Sequence, residues 1–341
     1  MTDRQFAGVD DLRALARAAL GGRRLVEVDR LPGGSKKGVY RLTLDDDSTA
    51  IAYVWSDAEN FWSEGPEDEH DRADRADQAD QADLADPFAA ATGLELFAAA
   101  HRRLSDLGVR VPQLALIDRS RATYPADVAV LEDVPGQSLE LWLERDPAAV
   151  PPILARLADT LAVMQGQVGP RFGKVALVDA GGVSRGGSCE QLVLGRARAD
   201  LAEAAGRDER IGAVRDRLED LVHELATEVV PRAEYRLIHG ELGPDHVLID
   251  AHGQPLLIDI EGLMFFDVEW EHVFLELRFG EHYRRLWRPG LDPARLRFYR
   301  LAMRLSLVAG PLRLLDGDFP DRELMLGIVE WNLQQVLTFL P

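Results

Sequence analysis

Between positions 239 and 261 the chain carries His239, Glu241, Asp245 and His246, and then, past a short gap, Asp259 and Glu261. Carboxylates can orient a hydroxyl, accept its proton or bind a hard cation such as Mg²⁺. Imidazole moves protons or binds softer metals. The upstream and downstream groups work together only if something holds them side by side. Residues 247–249 and 256–258 are apolar and flank the turn Ala251-His252-Gly253-Gln254. Two such runs around a short polar turn predict a stiff β-hairpin that brings both clusters together.

An acid, a second polar group five residues later and an Asp beyond a hairpin resemble the catalytic loop of the aminoglycoside phosphotransferase family, which has the protein-kinase-like fold. The family's pattern is His-Gly-Asp, four residues, Asn, and later Ile-Asp followed by an acid. Here Glu241 stands at the Asp position, His246 at the Asn position and Asp259 at the second metal-ligand position. Phe266-Asp267-Val268-Glu269-Trp270-Glu271 resembles the family's Gly-Asp-Pro segment and its following acid. The spacing matches, whereas Glu for Asp and His for Asn depart from the pattern. The extra methylene of Glu241 shifts its carboxylate by about a bond length. Misplacement on that scale costs ~10²-fold in rate unless the backbone compensates.

The resemblance implies an α+β, two-lobed fold. Residues 1–134 would form a small antiparallel-sheet lobe with one main helix. Residues 135–341 would form a mostly helical lobe carrying the catalytic hairpin 239–261. It implies ATP as the nucleotide, with Mg²⁺ or Mn²⁺ held by His246 and Asp259. The catalytic pair would be Glu241, orienting the acceptor hydroxyl, and His239, holding the loop backbone. Imidazole is a poor partner for Mg²⁺, so Asp245 is the alternative ligand beside Asp259.

Further residues follow from the small lobe. Strands are expected at 24–30, 39–44 and 49–55, with Gly33, Gly34, Ser35, Lys36 and Lys37 in the first connecting loop. Glycines let backbone approach phosphate, and the lysines add charge. A plain hairpin loop with exposed lysines is the alternative. The third strand lacks the Lys that kinase-like enzymes use to grip phosphates. Tyr53 takes its position, and Lys36 and Lys37 are the nearest cations. A helix is expected over 86–107, opened by Asp86-Pro87. On it Glu95 matches the small-lobe helix acid, although Thr92-Gly93-Leu94-Glu95 also fits a capping box. Glu132 and Val134 fall in the inter-lobe linker, where adenine would bond to backbone groups. Glu261, Asp267 and Glu271 would form an acidic wall for an aminated substrate, or else brace the loop and cap the next helix.

The remaining sequence limits the function class. The chain has 341 residues, 46% hydrophobic and 28% charged, which suits a soluble protein with a substantial core. Its net charge of −19 argues against nucleic acid as a partner. Residues 56–86 hold twelve acids and two arginines, and they repeat Asp-x-Ala, which fits a solvated tether. Asn60-Phe61-Trp62 at its start is apolar enough to dock on the body. No apolar run is long enough for a membrane span, and no signal core opens the chain, so a cytoplasmic protein is expected. Cys189 is the only cysteine and has no evident base beside it. Helix-spaced apolar residues recur at 139–145, 151–165, 189–204, 210–229, 269–278, 293–315 and 322–340, with Pro311 expected to kink or break its helix.

Two functions remain open at this level. One is an ATP-dependent phosphotransferase acting on a hydroxyl of a small molecule, aminoglycoside-like or another secondary metabolite. The other is a pseudokinase, a nucleotide- or partner-binding module without turnover. The missing strand lysine and the Glu241 and His246 replacements favour the second, and the surviving cluster of acids favours the first.

Overall fold

The structure is a computed structural model that describes residues 6–32, 36–62 and 83–340. The chain divides into two compact units. One comprises residues 1–77, 90–153 and 245–262, and the other comprises 78–89, 154–244 and 263–341.

The first unit is built on a five-stranded antiparallel sheet. Its strands are β1 (Leu25–Arg30), β2 (Gly38–Leu44), β3 (Thr49–Trp55), β4 (Leu114–Asp118) and β5 (Asp127–Glu132), in the order β1-β2-β3-β5-β4. Strand β2 shows why: Tyr40, Leu42 and Leu44 alternate inward while their neighbours face out, as a half-buried strand requires. The helix Val9–Leu20 lays Leu12, Leu15 and Ala16 against that face, joining Leu42, Ala52 and Val128 in one core. Glu59 is buried there, bonded by Arg30 at 2.9 Å and by the Tyr40 hydroxyl, which also accepts the Ala7 amide. The start of the acidic insert therefore docks. Trp62 continues this, with the Lys36 ammonium 5.9 Å from its ring centroid. The rest of the expected tether, 63–82, lies outside the described residues.

The helix expected from Asp86 instead starts at Leu94 and runs to Asp106, behind Gly93 at φ 113°. Asp86 spends its side chain on the Phe88 amide and its carbonyl on the Ala89 amide, which closes a turn rather than opening a helix. The alternative capping box is not formed either, since Gly93 is the N-cap residue and no side chain caps it.

The expected hairpin is present, with strands Val247–Ile249 and Pro255–Leu257 paired Val247↔Leu257 and Ile249↔Pro255. Its second strand lies one residue earlier than the apolar pattern suggested. Leu248 and Ile249 also pair with Ser138 and Gln137, making a three-stranded ribbon. This pairing needs Gly136, because a Cβ there would sit 2.1 Å from the Ile249 carbonyl oxygen.

The second unit is mostly helical. Helices Cys189–Arg207, Arg215–Thr227, Pro293–Leu314 and Arg322–Leu337 bury Val193, Leu201, Leu218, Val222, Leu305 and Leu333 in a common core. The helix expected over 210–229 is split, with a short turn Glu209–Gly212 before the longer piece. Pro311 does not break its helix. It falls near the C-terminal end, so only the last few residues of the helix follow it. Short strands Val168–Gly169, Gly173–Lys174, Tyr235–Ile238 and Met264–Phe266 form a small sheet under these helices. Among the described residues, no helix is long and apolar enough to cross a membrane.

Candidate active site

Lys37, Tyr53, Asp245, His246, Asp259 and Glu261 meet in the first unit. Lys37 immediately precedes β2 and is buried. Its ammonium donates to Asp259 Oδ1 at 2.7 Å and to Glu261 Oε1 at 2.5 Å. It also lies 4.7 Å from the centroid of the Tyr53 ring. Tyr53 is fixed on β3 by edge contacts with Trp55 and Phe97. Burial alone would strip the Lys37 proton, but the charges of Asp259 and Glu261 outweigh it and hold the ammonium strongly protonated. Burial also raises the Tyr53 phenol, to about 12, so the ring stays neutral.

Asp259 leaves the hairpin with φ 56°, a left-handed conformation that few non-glycine residues adopt. Such backbone strain is concentrated at functional sites. Burial works against ionisation of its carboxyl, yet Lys37 and His246 pull it well below the usual carboxylate range. Oδ1 is taken by Lys37, and Oδ2 lies 3.6 Å from His246 Nε2. The same imidazole nitrogen is 3.5 Å from Asp245 Oδ2. The hairpin thus brings Asp245, His246 and Asp259 together, as the spacing predicted. Among the described residues, no group of three or more side chains is already set around one metal centre.

Glu261 was expected to face substrate but is buried beneath Lys37, and its Oε2 accepts no hydrogen bond. Its pKa is raised by burial and by Asp259, against the pull of Lys37. Lys36 turns its ammonium to Trp62, and its carbonyl accepts the Thr92 hydroxyl at 3.1 Å. Glu95 is exposed in the first turn of its helix. Glu132 is held by a two-point contact with Arg110 at 2.8 and 3.0 Å, which depresses its pKa, and Val134 is buried. Gly33, Gly34 and Ser35 lie outside the described residues.

The second unit carries Glu241, exposed, and His239, fully buried at the end of the strand Tyr235–Ile238. Glu271 is equally buried, and its Oε2 accepts the amides of His239 at 2.5 Å and Gly240 at 3.2 Å. Asp267 is buried against Arg295 and the Tyr299 hydroxyl. Of the two readings of Glu261, Asp267 and Glu271, wall or brace, this burial favours the brace. Each carboxylate is committed inside the protein, and the bracing alternative describes them. Spacing alone could not show this, because a buried brace and an exposed wall read alike. Arg295 and Tyr299, one helical turn apart, are the groups that hold Asp267. Cys189 is buried and its thiol is driven strongly upward by that burial, which makes it a packing residue.

A model of the phosphotransferase enzyme family matches residues 27–306. No curated protein matches the sequence significantly. Solved structures do match. A thermostable mutant of aminoglycoside phosphotransferase APH(4)-Ia superposes with a TM-score of 0.61 at 16% identity, over 95% of this chain and 98% of that one. Spectinomycin phosphotransferase APH(9)-Ia, solved with AMP, gives 0.61 at 12% identity over 96% and 95%. A Thermobifida fusca YX-ER1 protein assigned as a fructosamine-3-kinase gives 0.57 at 18% identity over 97% and 100%. With the small antiparallel sheet, the helical second unit and the acid-bearing hairpin, these matches establish that the chain has the protein-kinase-like fold and belongs to the phosphotransferase enzyme family.

Proposed function

We propose that the protein transfers the terminal phosphoryl group of ATP to a hydroxyl of a small molecule. The observation that carries this is the hairpin: its first strand is paired on both sides, and it presents Asp245 and His246 at its upstream end and a strained Asp259 at its exit. Asp259 Oδ2 and Asp245 are oxygen donors suited to Mg²⁺, with phosphate oxygens and water completing the shell. His246 is better suited to polarising a phosphate oxygen or to Mn²⁺. The divalent ion would supply charge neutralisation across the phosphates. Glu241 orients the acceptor hydroxyl and takes its proton as transfer proceeds. Glu271 holds the backbone of His239 and Gly240, directly before Glu241, at a fixed geometry. The backbone of Glu132 and Val134 is the adenine-binding stretch.

The acceptor class is argued from the relatives and from charge. Two of the matched structures are aminoglycoside phosphotransferases, and the chain carries a surplus of acids favourable to an aminated polyol. The test is ADP release with ATP and Mg²⁺, then Mn²⁺, across aminoglycosides and other polyols. Glu241→Ala should abolish release and leave the thermal shift by ATP intact. Unchanged release by Glu241→Ala would show that another group serves the acceptor.

A further inference from the structure

Strand β3 has no lysine, yet a buried ammonium stands at its face. Val39 and Tyr53 are cross-strand partners, which carries Lys37, two residues upstream, over the Tyr53 ring. The ring packs edge-on against Trp55 and Phe97. A lysine at position 53 would place a second cation against Lys37. The absence of one and the presence of the other are therefore coupled.

The two carboxylates that hold Lys37 differ. Glu261 is 3% exposed, whereas the Asp259 side chain is 44% exposed. Parting Lys37 from Glu261 would leave the Glu261 carboxylate buried and unpaired, which is costly. Parting it from Asp259 leaves the carboxylate facing water, free for a cation. The Glu261 contact is thus the anchor, and the Asp259 contact is the exchangeable one. The helix acid Glu95, the expected partner of such a lysine, is exposed.

We infer that Lys37 is the phosphate-gripping cation of this chain, delivered from the approach to β2 instead of from β3, and that Glu261 rather than Glu95 is its positioning partner. The inference rests on the nucleotide-binding role proposed above. With nucleotide and a divalent ion bound, Asp259 would be free to serve the ion, and the Lys37 ammonium would serve phosphate oxygens while Glu261 keeps it in place. Tyr53 stabilises the ammonium through its ring face throughout.

The test is calorimetric titration of ATP and ADP, with Mg²⁺, into the wild type and into variants of full-length protein, with melting curves to verify folding. Lys37→Met should weaken ATP binding by roughly 10- to 100-fold, the worth of one charge-assisted hydrogen bond. Lys37→Met with Glu261→Gln removes both buried charges, guards against misfolding and should bind as weakly as Lys37→Met. Tyr53→Lys in the Lys37→Met background returns a cation from β3 and should restore part of the loss. Glu261→Gln should weaken binding more than Glu95→Gln. If the wild type binds ATP and Lys37→Met binds it equally well, the inference fails while the nucleotide role stands. Equal weakening by Glu95→Gln and Glu261→Gln removes Glu261 as the partner. A wild type that binds no nucleotide sinks the proposed function, and the inference with it.

Discussion

Replacing Glu271 with glutamine should stabilise the protein increasingly as pH rises. Glu271 is fully buried, and burial pushes its carboxyl from 4.5 up to about 7, against the pull of the His239 and Gly240 amides. Its Oε1 accepts no hydrogen bond, which makes that oxygen the natural place for a proton. Below the unfolded pKa the side chain is protonated in both states and has no effect on the pH dependence. Between 4.5 and about 7 the unfolded chain releases its proton and the folded chain retains it, so folded stability falls as pH rises. Above that window the loss is complete. The rise from 4.5 to about 7 corresponds to ~3 kcal/mol at most. Glutamine keeps an amide-accepting carbonyl and never ionises. Urea unfolding of wild type and Glu271→Gln at pH 5, 6, 7 and 8 measures the difference directly. The gap should move in favour of the variant across that range and level off at the top. A gap that is independent of pH, or that moves toward the wild type, would refute the assignment of a buried, proton-retaining Glu271.

Three further outcomes follow from buried contacts. Arg295→Met leaves Asp267 buried with only Tyr299 and the more distant Arg232, and should cost ~3–5 kcal/mol in urea unfolding; adding Asp267→Leu should recover much of it. Gly136→Ala forces the Ile249 carbonyl away from the ribbon and should lower stability by ~1–3 kcal/mol, read as a lower melting temperature. Tyr40→Phe removes the hydroxyl that joins Ala7 to Glu59 and should cost ~1–3 kcal/mol in urea unfolding.

The hairpin and most helices were legible because they depend on local periodicity: runs of apolar residues around 247–258, and helix-spaced positions at 189–207, 293–314 and 322–337. The start at Asp86-Pro87 was misread because an Asp can cap a helix or close a turn with the same side chain. The site was half legible. Spacing carried Asp245, His246 and Asp259 to one place, but it could not show whether an acid is buried. Glu261, Asp267 and Glu271 therefore read equally as a wall or as braces, and their burial favours the braces. Lys37 was only one of two loop lysines in the sequence. The ring of Tyr53 and the carboxylates of Asp259 and Glu261 distinguish it from Lys36, and the two carboxylate contacts span more than 200 positions.

The left-handed backbone at Asp259 limits what evolution can try there. Most side chains would be penalised by ~1–2 kcal/mol in that conformation, whereas asparagine tolerates it almost as well as aspartate. A single-base codon change can produce that replacement. It preserves shape and folding while discarding the negative charge. If Asp259 holds the divalent ion as proposed, an Asn at this position is expected to give a chain that folds without turning over.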